Sequence, residues 1–250
     1  MKAVVAVLFA LTLVSVPDEI ALGRQADAQV RKQTHEIRDA RVRTYVASLG
    51  RRLAAVAPGA KYPYTFSVAD TRELNAFSLP GGPVWVNAGL LEAATSESQV
   101  AGVIAHEIAH VAERHATAQV TDAIVAKWGL GFLGAMLGNS GGAAAAQRMA
   151  ALLAGGAFLK FSRDDERDAD RVGLDIVSRA GWDPHGMIEL LEILRQRQRQ
   201  DPSAVQVFFS THPSPQQRID ELRGLAARHR GGRRDSAEFQ SVRARLRHNR

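Results

Sequence analysis

Two histidines and a glutamate occupy one turn of a predicted helix near the middle of the chain, in the run His106-Glu107-Ile108-Ala109-His110. Residues four apart on a helix share a face, so His106 and His110 can present two imidazole nitrogens to one metal ion. Glu107 follows the first histidine, where its carboxylate can act as a general base on a water molecule. This spacing is typical of zinc peptidases, which take two nitrogen ligands and a base from one helix.

A pattern of five residues also arises by chance, and an amphipathic helix with two surface histidines is the alternative. The sequence around the motif favours the metal interpretation, because a helix that is apolar on most sides carries buried charges only when they are paired or bound to metal. The flanking apolar residues recur at near-helical spacing: Val100, Val103, Ile104, Ile108 and Val111. Ser96 and Gln99 fit a capping box, so the helix is expected to begin near Ser96 and to end near His115.

A catalytic zinc site usually has three protein ligands, and the motif supplies two. The chain contains no Cys, so the third ligand must be His, Asp or Glu. Glu166 and Asp170 lie four residues apart on a predicted helix. From the residues alone, either carboxylate can bind zinc while the other accepts the second N–H of a ligand histidine. A solvated acidic helix start is the alternative for this segment.

Helical patterns dominate the elements that must position these groups. Residues 17–57 show helical spacing that ends at Pro58-Gly59, and residues from Asp164 onward are helical again. Residues 122–160 are apolar and rich in Ala and Gly, which indicates either a cover over the cleft, a membrane-touching segment or a plain helical hairpin. The predicted fold class is therefore α+β and mostly α-helical.

Short alternating segments supply the β part of the fold. Residues 64–68, 75–79 and 84–86 predict strands, and the turn at 80–82 joins the last two as a hairpin beside the active-site helix. We expect Val84, Trp85 and Val86 to form an edge strand that binds an extended substrate through main-chain hydrogen bonds. A small sheet packed on helices, without a substrate role, is the alternative.

The positive charge of the chain is concentrated at its C-terminus. The net charge is +6 over 250 residues, but residues 223–250 hold nine Arg against Asp235 and Glu238. We interpret this stretch as an Arg-rich tail that follows a catalytic domain at residues 17–222. Such a tail favours attraction to an anionic membrane surface over nucleic-acid binding, which would need a basic groove.

The first 16 residues predict export. Met1-Lys2 precedes a mostly apolar run from Ala3 to Val16, as in a signal peptide, and the run is shorter than the roughly 20 residues of a membrane span. A short N-terminal anchor or a buried first helix is the alternative. We expect an exported protein that is periplasmic or membrane-associated in a bacterial envelope.

Several spaced motifs resemble the HtpX and BepA zinc metallopeptidases, a family of the gluzincin type that also contains the CAAX prenyl endopeptidases. The motif at 106–110 is followed by Ser-Arg-x-x-Glu-x-x-x-Asp at 162–170. Three further segments match: Glu19–Gly23, Asn75–Phe77 and Ser210–Pro213, the last with Arg218. The resemblance spans about residues 18–222 and implies a zincin-like metallopeptidase domain.

The resemblance implies a role for each residue of the two main motifs. His106, His110 and Glu166 would bind one Zn²⁺ per chain, and Glu107 would be the general base. Asp170 would orient one of the ligand histidines.

Three later residues also match recurring family positions. His212 would donate to the oxyanion of the reaction or bind zinc as a removable fourth ligand. Arg218 would help to position groups near the metal or supply positive charge there. The alternative is a salt bridge that fixes its helix. His115 is expected to serve packing.

These features predict a zinc-dependent endopeptidase that hydrolyses polypeptide substrates. We expect misfolded or membrane-associated envelope proteins as substrates, and thus a role in protein quality control. A zinc-bound chaperone-like or assembly factor with little turnover is the alternative. The intact Glu107 argues against that alternative, because a purely structural metal site needs no base.

Overall fold

The computed structural model describes residues 14–119, 160–213 and 215–248. The predicted leader therefore lies outside the described residues except for positions 14–16, and the apolar segment predicted at 122–160 lies outside them except for Lys160. Among the helices described, none combines the length and the apolar character needed to cross a membrane.

The first two helices lie where helical spacing was predicted, over residues 17–57. Helix α1 (Val16–Gln33) is capped by Ser15, whose hydroxyl accepts a hydrogen bond from the Asp18 amide N–H. Helix α2 (Ala40–Ala54) is capped by Asp39, whose carboxylate accepts hydrogen bonds from two backbone N–H groups of its first turn. Residues between the two helices are extended, and Glu36 bridges to Ala69 of the sheet. Helical spacing did not indicate this break, because the link is held by pairing with a distant strand, which helical periodicity does not report.

A small mixed sheet contains strands β1 (Thr65–Ala69), β2 (Ala76–Ser78) and β3 (Pro83–Asn87) in the order β1-β3-β2. β2 and β3 form the predicted antiparallel hairpin, and β1 pairs in parallel with the other side of β3. The prediction that Val84, Trp85 and Val86 form an edge strand was therefore wrong. β3 is central and buried along its whole length, and β2 is the edge strand.

The remaining described helices include one that is central and buried and others that pack around it. They are α3 (Ala88–Ala93), α4 (Glu97–Ala112), α5 (Arg163–Arg179), α6 (His185–Gln200), α7 (Gln206–Thr211), α8 (Pro215–Ala226) and α9 (Ala237–His248). α4 is buried from Glu97 to Val111 and packs against α2, α5, α6 and the sheet. This arrangement confirms the predicted α+β, mostly α-helical fold, and it places the motif at 106–110 in the centre of the core.

The Arg-rich segment is part of the domain. Phe239, Val242 and Leu246 of α9 are buried in the same core as α4, spaced so that they share one face of the helix. Arg245 of α9 pairs with Asp39 at the start of α2, at 2.6 Å. The prediction of a separate tail beginning at residue 223 was therefore wrong, because its charge concealed an amphipathic helix.

A buried glutamate fixes the start of α4. Glu97 accepts hydrogen bonds from the Tyr45 hydroxyl, the Trp182 indole N–H and the Ser236 hydroxyl. These donors come from α2, from the turn after α5 and from the segment before α9. The N-terminal end of the motif helix is therefore tied to three distant parts of the chain.

Candidate metal centre and catalytic cleft

Helix α4 carries three buried polar side chains within about one turn. His106 and His110 have their Nε2 atoms 3.1 Å apart, and their rings are almost perpendicular. Glu107 is fully buried beside them. The helix therefore presents two imidazole nitrogens toward one point, as their spacing predicted.

Helix α5 brings the predicted carboxylates to the same point. It begins with a capping box between Ser162 and Asp165, so the acidic first turn is satisfied locally. Glu166 then faces the histidines, with its carboxylate oxygens 3.5 Å from Nε2 of His106 and 3.5 Å from Nε2 of His110. Asp170, one turn later, lies 3.1 Å from Nδ1 of His106, the ring nitrogen opposite the shared point.

A glycine sets the distance between α4 and α5. A Cβ atom on Gly173 would lie 3.1 Å from the Cα and the backbone nitrogen of His106, closer than ordinary van der Waals contact. The two backbones therefore meet directly at the first histidine. This contact allows short carboxylate side chains on α5 to reach the imidazoles of α4.

His212 lies at the C-terminal end of α7 and completes the group. Its Nδ1 is 2.7 Å from a carboxylate oxygen of Glu166, and its Nε2 is 3.6 Å from Oε1 of Glu107. The candidate ligand atoms of His106, His110, Glu166 and His212 all lie within 4.8 Å of one another. The structure thus brings together the three predicted ligands and the proposed fourth one.

Arg218 lies beside the candidate ligands, with its Nη2 3.4 Å from Nε2 of His106. Its Nε and Nη2 atoms bind both oxygens of Asp170 at 2.8 and 2.6 Å, and its Nη1 lies 2.5 Å from Glu166. The guanidinium is nearly buried and does not line the cleft described below. These contacts describe the alternative role, a salt bridge that fixes its helix, and they also place positive charge beside Glu166. A catalytic role for Arg218 stays a prediction.

The electrostatics of the site favour a cation. Burial would raise the pKa of Glu166, but the charges of His212 and Arg218 hold it well below its usual range. Burial likewise opposes ionisation of Asp170, and Arg218 again keeps its pKa low. Burial lowers the pKa of His110, whereas the pKa of His106 rises to about 9, because its hydrogen bonds to Asp170 and Glu166 outweigh burial.

The donor set fits zinc. Zinc bonds to nitrogen and carboxylate oxygen of roughly 2.0–2.2 Å give a tetrahedron with edges of about 3.3–3.6 Å. The observed separations among His106, His110 and Glu166 are 3.1, 3.5 and 3.5 Å. Among the described residues, Oε1 of Glu107 is a buried oxygen with no hydrogen-bond partner, as expected of a base whose partner is a bound water. His106, His110 and Glu166 would hold the ion, with His212 as a fourth ligand.

A cavity of about 550 Å³ opens beside Glu107. The last turns of α1, the edge strand β2 and the end of α7 form its walls, which include Val30, Phe77 and Thr211. Ser78 of β2 donates to Oε2 of Glu107 at 2.9 Å, so the edge strand contacts the predicted base directly. The cleft therefore runs along β2 and ends at the metal centre.

His115 has a contact that the sequence did not reveal. Its Nδ1 lies 2.9 Å from Nδ1 of His110, on the side of the ring opposite the ligand nitrogen. Packing was the expectation for this residue, and burial does lower its pKa, which favours the neutral ring. Helical spacing could not predict the contact, because the turn at Arg114 separates His115 from α4.

Comparisons with known proteins agree with this geometry. Residues 40–226 match peptidase family M48. The beta-barrel assembly-enhancing protease of Escherichia coli K12 is 32% identical over 220 residues, which cover 85% of this chain and 44% of that protein. A mitochondrial metalloendopeptidase of Schizosaccharomyces pombe is 34% identical over 178 residues, covering 71% of this chain and 51% of that protein.

A shorter relative matches over most of its own length. The metalloprotease YcaL of Escherichia coli is 29% identical over 187 residues, which cover 71% of this chain and 70% of that protein. By contrast, the chain spans less than half the length of the assembly-enhancing proteases it matches. The family match over residues 40–226 contains the metal centre.

Proposed function

The chain belongs to peptidase family M48, and we propose that it is a zinc-dependent endopeptidase that cleaves unfolded polypeptides. One observation carries the proposal: three metal-ligating groups and the carboxylate of Glu107 converge in one buried cluster at the end of an open cleft. A structural zinc site would need neither the unpartnered oxygen of Glu107 nor the cleft.

The residues of the site divide the reaction between them. Zinc, when bound, supplies Lewis-acid chemistry that polarises the peptide carbonyl and acidifies water. Glu107 takes the proton of the attacking water and delivers it to the leaving amine. Ser78 holds one oxygen of Glu107, which leaves the other directed at the reacting water.

His212 lies between the base and a ligand, which suits two successive roles. In the resting enzyme its Nδ1 lies 2.7 Å from Glu166, where His212 would be a fourth ligand of a bound metal. When the substrate carbonyl enters, His212 would move away from Glu166 and donate a hydrogen bond to the developing oxyanion.

The edge strand β2 offers its backbone to an extended substrate. On either side of β2, the carbonyl of Asn75 accepts a hydrogen bond from the Asn87 N–H, and the Leu79 N–H donates to the carbonyl of Pro83. In an antiparallel pair the intervening residues alternate, so the N–H and C=O groups of Ser78 point away from β3 and toward the cleft. A substrate strand added here would pass directly beside Glu107.

Replacing Ser78 with Pro tests this binding mode. Pro is tolerated on an edge strand where the N–H does not bond to the sheet, so the fold should persist. Losing a substrate hydrogen bond worth about 0.5–1.5 kcal/mol should lower kcat/KM for a peptide about 2- to 12-fold through KM. Ser78→Ala is the control, because it removes only the hydroxyl that contacts Glu107. A KM for Ser78→Pro equal to that of Ser78→Ala would contradict substrate binding along β2.

Metal removal tests the proposed function itself. The purified protein should cleave an unfolded polypeptide such as reduced, alkylated casein into fragments visible by mass spectrometry. A chelator should abolish cleavage, and one equivalent of Zn²⁺ per chain should restore it. Cleavage that persists in a metal-free protein would refute the proposal. Suppressed aggregation without fragments would instead support the chaperone-like alternative.

The biological setting extends the same proposal. We place the enzyme in the bacterial envelope, where it degrades misfolded proteins, because relatives named for β-barrel assembly match 85% of the chain. The arginines of α9 contact the domain itself, as Arg243 and Arg247 both donate to the carbonyl of Glu92. Polypeptide is the partner we propose. Fractionation of cells that express the tagged full chain tests the location.

A further inference from the structure

The two ligand histidines are supported by different partners. Nδ1 of His106 lies 3.1 Å from the carboxylate of Asp170, the kind of partner that ligand histidines commonly have. Nδ1 of His110 instead lies 2.9 Å from the ring of His115. The ring of His115 thus has the place beside His110 that a carboxylate has beside His106.

The direction of the His110–His115 hydrogen bond follows from the geometry of the ligand. Nε2 of His110 faces His106 and Glu166, so a metal ion there requires the lone pair of Nε2. The proton of His110 must then lie on Nδ1 and be donated to His115. Nδ1 of His115 must accept it, which fixes the proton of His115 on its own Nε2.

Phe161 restricts the remaining freedom of the His110 ring. Its ring stacks on that of His110 with centroids 3.8 Å apart and an interplanar angle of 23°. Stacking holds the plane of His110 but still allows the ring to flip within that plane. The hydrogen bond to His115 distinguishes the two flipped orientations, and only one of them directs Nε2 at the metal.

The position of His115 depends on a strained turn after α4. Arg114 has a φ of 60°, a left-handed conformation that is uncommon for a residue with a side chain. Its guanidinium donates to Glu19 of α1 at 2.8 Å and to the carbonyl of Val14 at 2.5 Å. Thr117, beyond the turn, also donates to Glu19, at 2.7 Å. The buried carboxylate of Glu19 therefore holds the turn that directs His115 at the ligand.

We propose that His115 is a positioning residue of the metal centre, which fixes the tautomer and ring orientation of the ligand His110 by accepting its Nδ1–H. His115 touches neither substrate nor metal, and it acts only through His110. The inference rests on the proposed zinc site, but it can be tested without measuring proteolysis.

Two substitutions of the same shape separate the hydrogen bond from the packing. In His115→Asn the amide oxygen can take the place of Nδ1, whereas His115→Leu has the same branching at Cγ and no acceptor. Zinc affinity is measured for the full chain by competition with a chromophoric chelator. We expect His115→Leu to weaken zinc binding about 10- to 100-fold, as removal of such partners typically does. His115→Asn should restore most of that affinity.

Spectroscopy of the cobalt-substituted protein provides a second readout. The visible bands of Co²⁺ report ligand geometry, so they should shift in His115→Leu and return toward wild type in His115→Asn. Equal affinities for the wild type and His115→Leu would overturn the proposal. An equal loss in both variants would also overturn it, because the acceptor would then be irrelevant.

A neighbouring substitution controls for general loosening of the segment. Thr117→Val removes the hydroxyl that donates to Glu19 but leaves the acceptor on His115. It should lower Tm without weakening zinc binding. If Thr117→Val weakened zinc binding as much as His115→Leu does, the effect would be structural and the proposal would be wrong. None of these readouts requires turnover, so failure of the peptidase assignment and failure of the His115 assignment are distinguishable.

Discussion

Replacing Glu107 with Gln is expected to abolish proteolysis while leaving the fold and the metal centre in place. The amide is nearly isosteric with the carboxylate, and it can still accept the hydrogen bond from Ser78. It cannot take a proton from water at neutral pH. Loss of a positioned general base typically costs about 10²–10⁴-fold in rate, so kcat should fall by that factor.

Three measurements check this result. Fragment formation from the unfolded substrate gives kcat, metal analysis gives the zinc content, and thermal unfolding gives Tm. Glu113→Gln is the matched control, because Glu113 is the exposed residue that follows the last turn of the same helix. Full wild-type proteolysis by Glu107→Gln would show that Glu107 is not the base. Loss of zinc in the same variant would assign Glu107 a structural role instead.

Replacing Arg218 with Leu should destabilise the protein strongly. Arg218 is the buried cation that faces both Glu166 and Asp170, with contacts of 2.5 to 2.8 Å. Removing one partner of a buried ion pair typically costs about 3–5 kcal/mol, because the charges left behind cannot regain water. Urea unfolding of the metal-free protein should show a loss of this size.

The exposed ion pair on the same helix provides the control. Arg223 of α8 contacts Glu192 and Asp220 at the surface, so Arg223→Leu should cost at most about 1 kcal/mol. Zinc adds positive charge next to Glu166, and the penalty for Arg218→Leu should therefore be smaller in the zinc-loaded protein than in the metal-free one. Equal effects of the two substitutions would show that the buried network contributes no special stability.

The grouping of the two main motifs could be predicted because their residues lie on regular helices. Spacing of four places His106 above His110 and Glu166 above Asp170, and the resemblance then indicated which acid faces the metal. The packing partner of His110 could not be found in this way. His115 reaches the ring only because Arg114 adopts a left-handed conformation, which depends on Glu19 almost a hundred residues earlier.

Two parts of the fold could not be predicted, for different physical reasons. Alternation identifies strands but carries no information on sheet order, and the parallel pairing of β1 placed β3 in the centre. The continuous apolar run Val84-Trp85-Val86 was a sign of a strand buried on both faces. The nine arginines of residues 223–250 concealed the three apolar residues by which α9 packs on the core.

The contact at Gly173 has a consequence for ion selectivity. The separation of the ligands depends on the close contact between the backbones of α4 and α5. That contact is possible because Gly173 has no Cβ atom. Any larger residue there would push α5 away from α4 by a few tenths of an ångström and carry Glu166 away from the histidines. The size of the ion that the centre accepts therefore depends on Gly173, which is not a ligand and lies about one turn of α5 after Asp170.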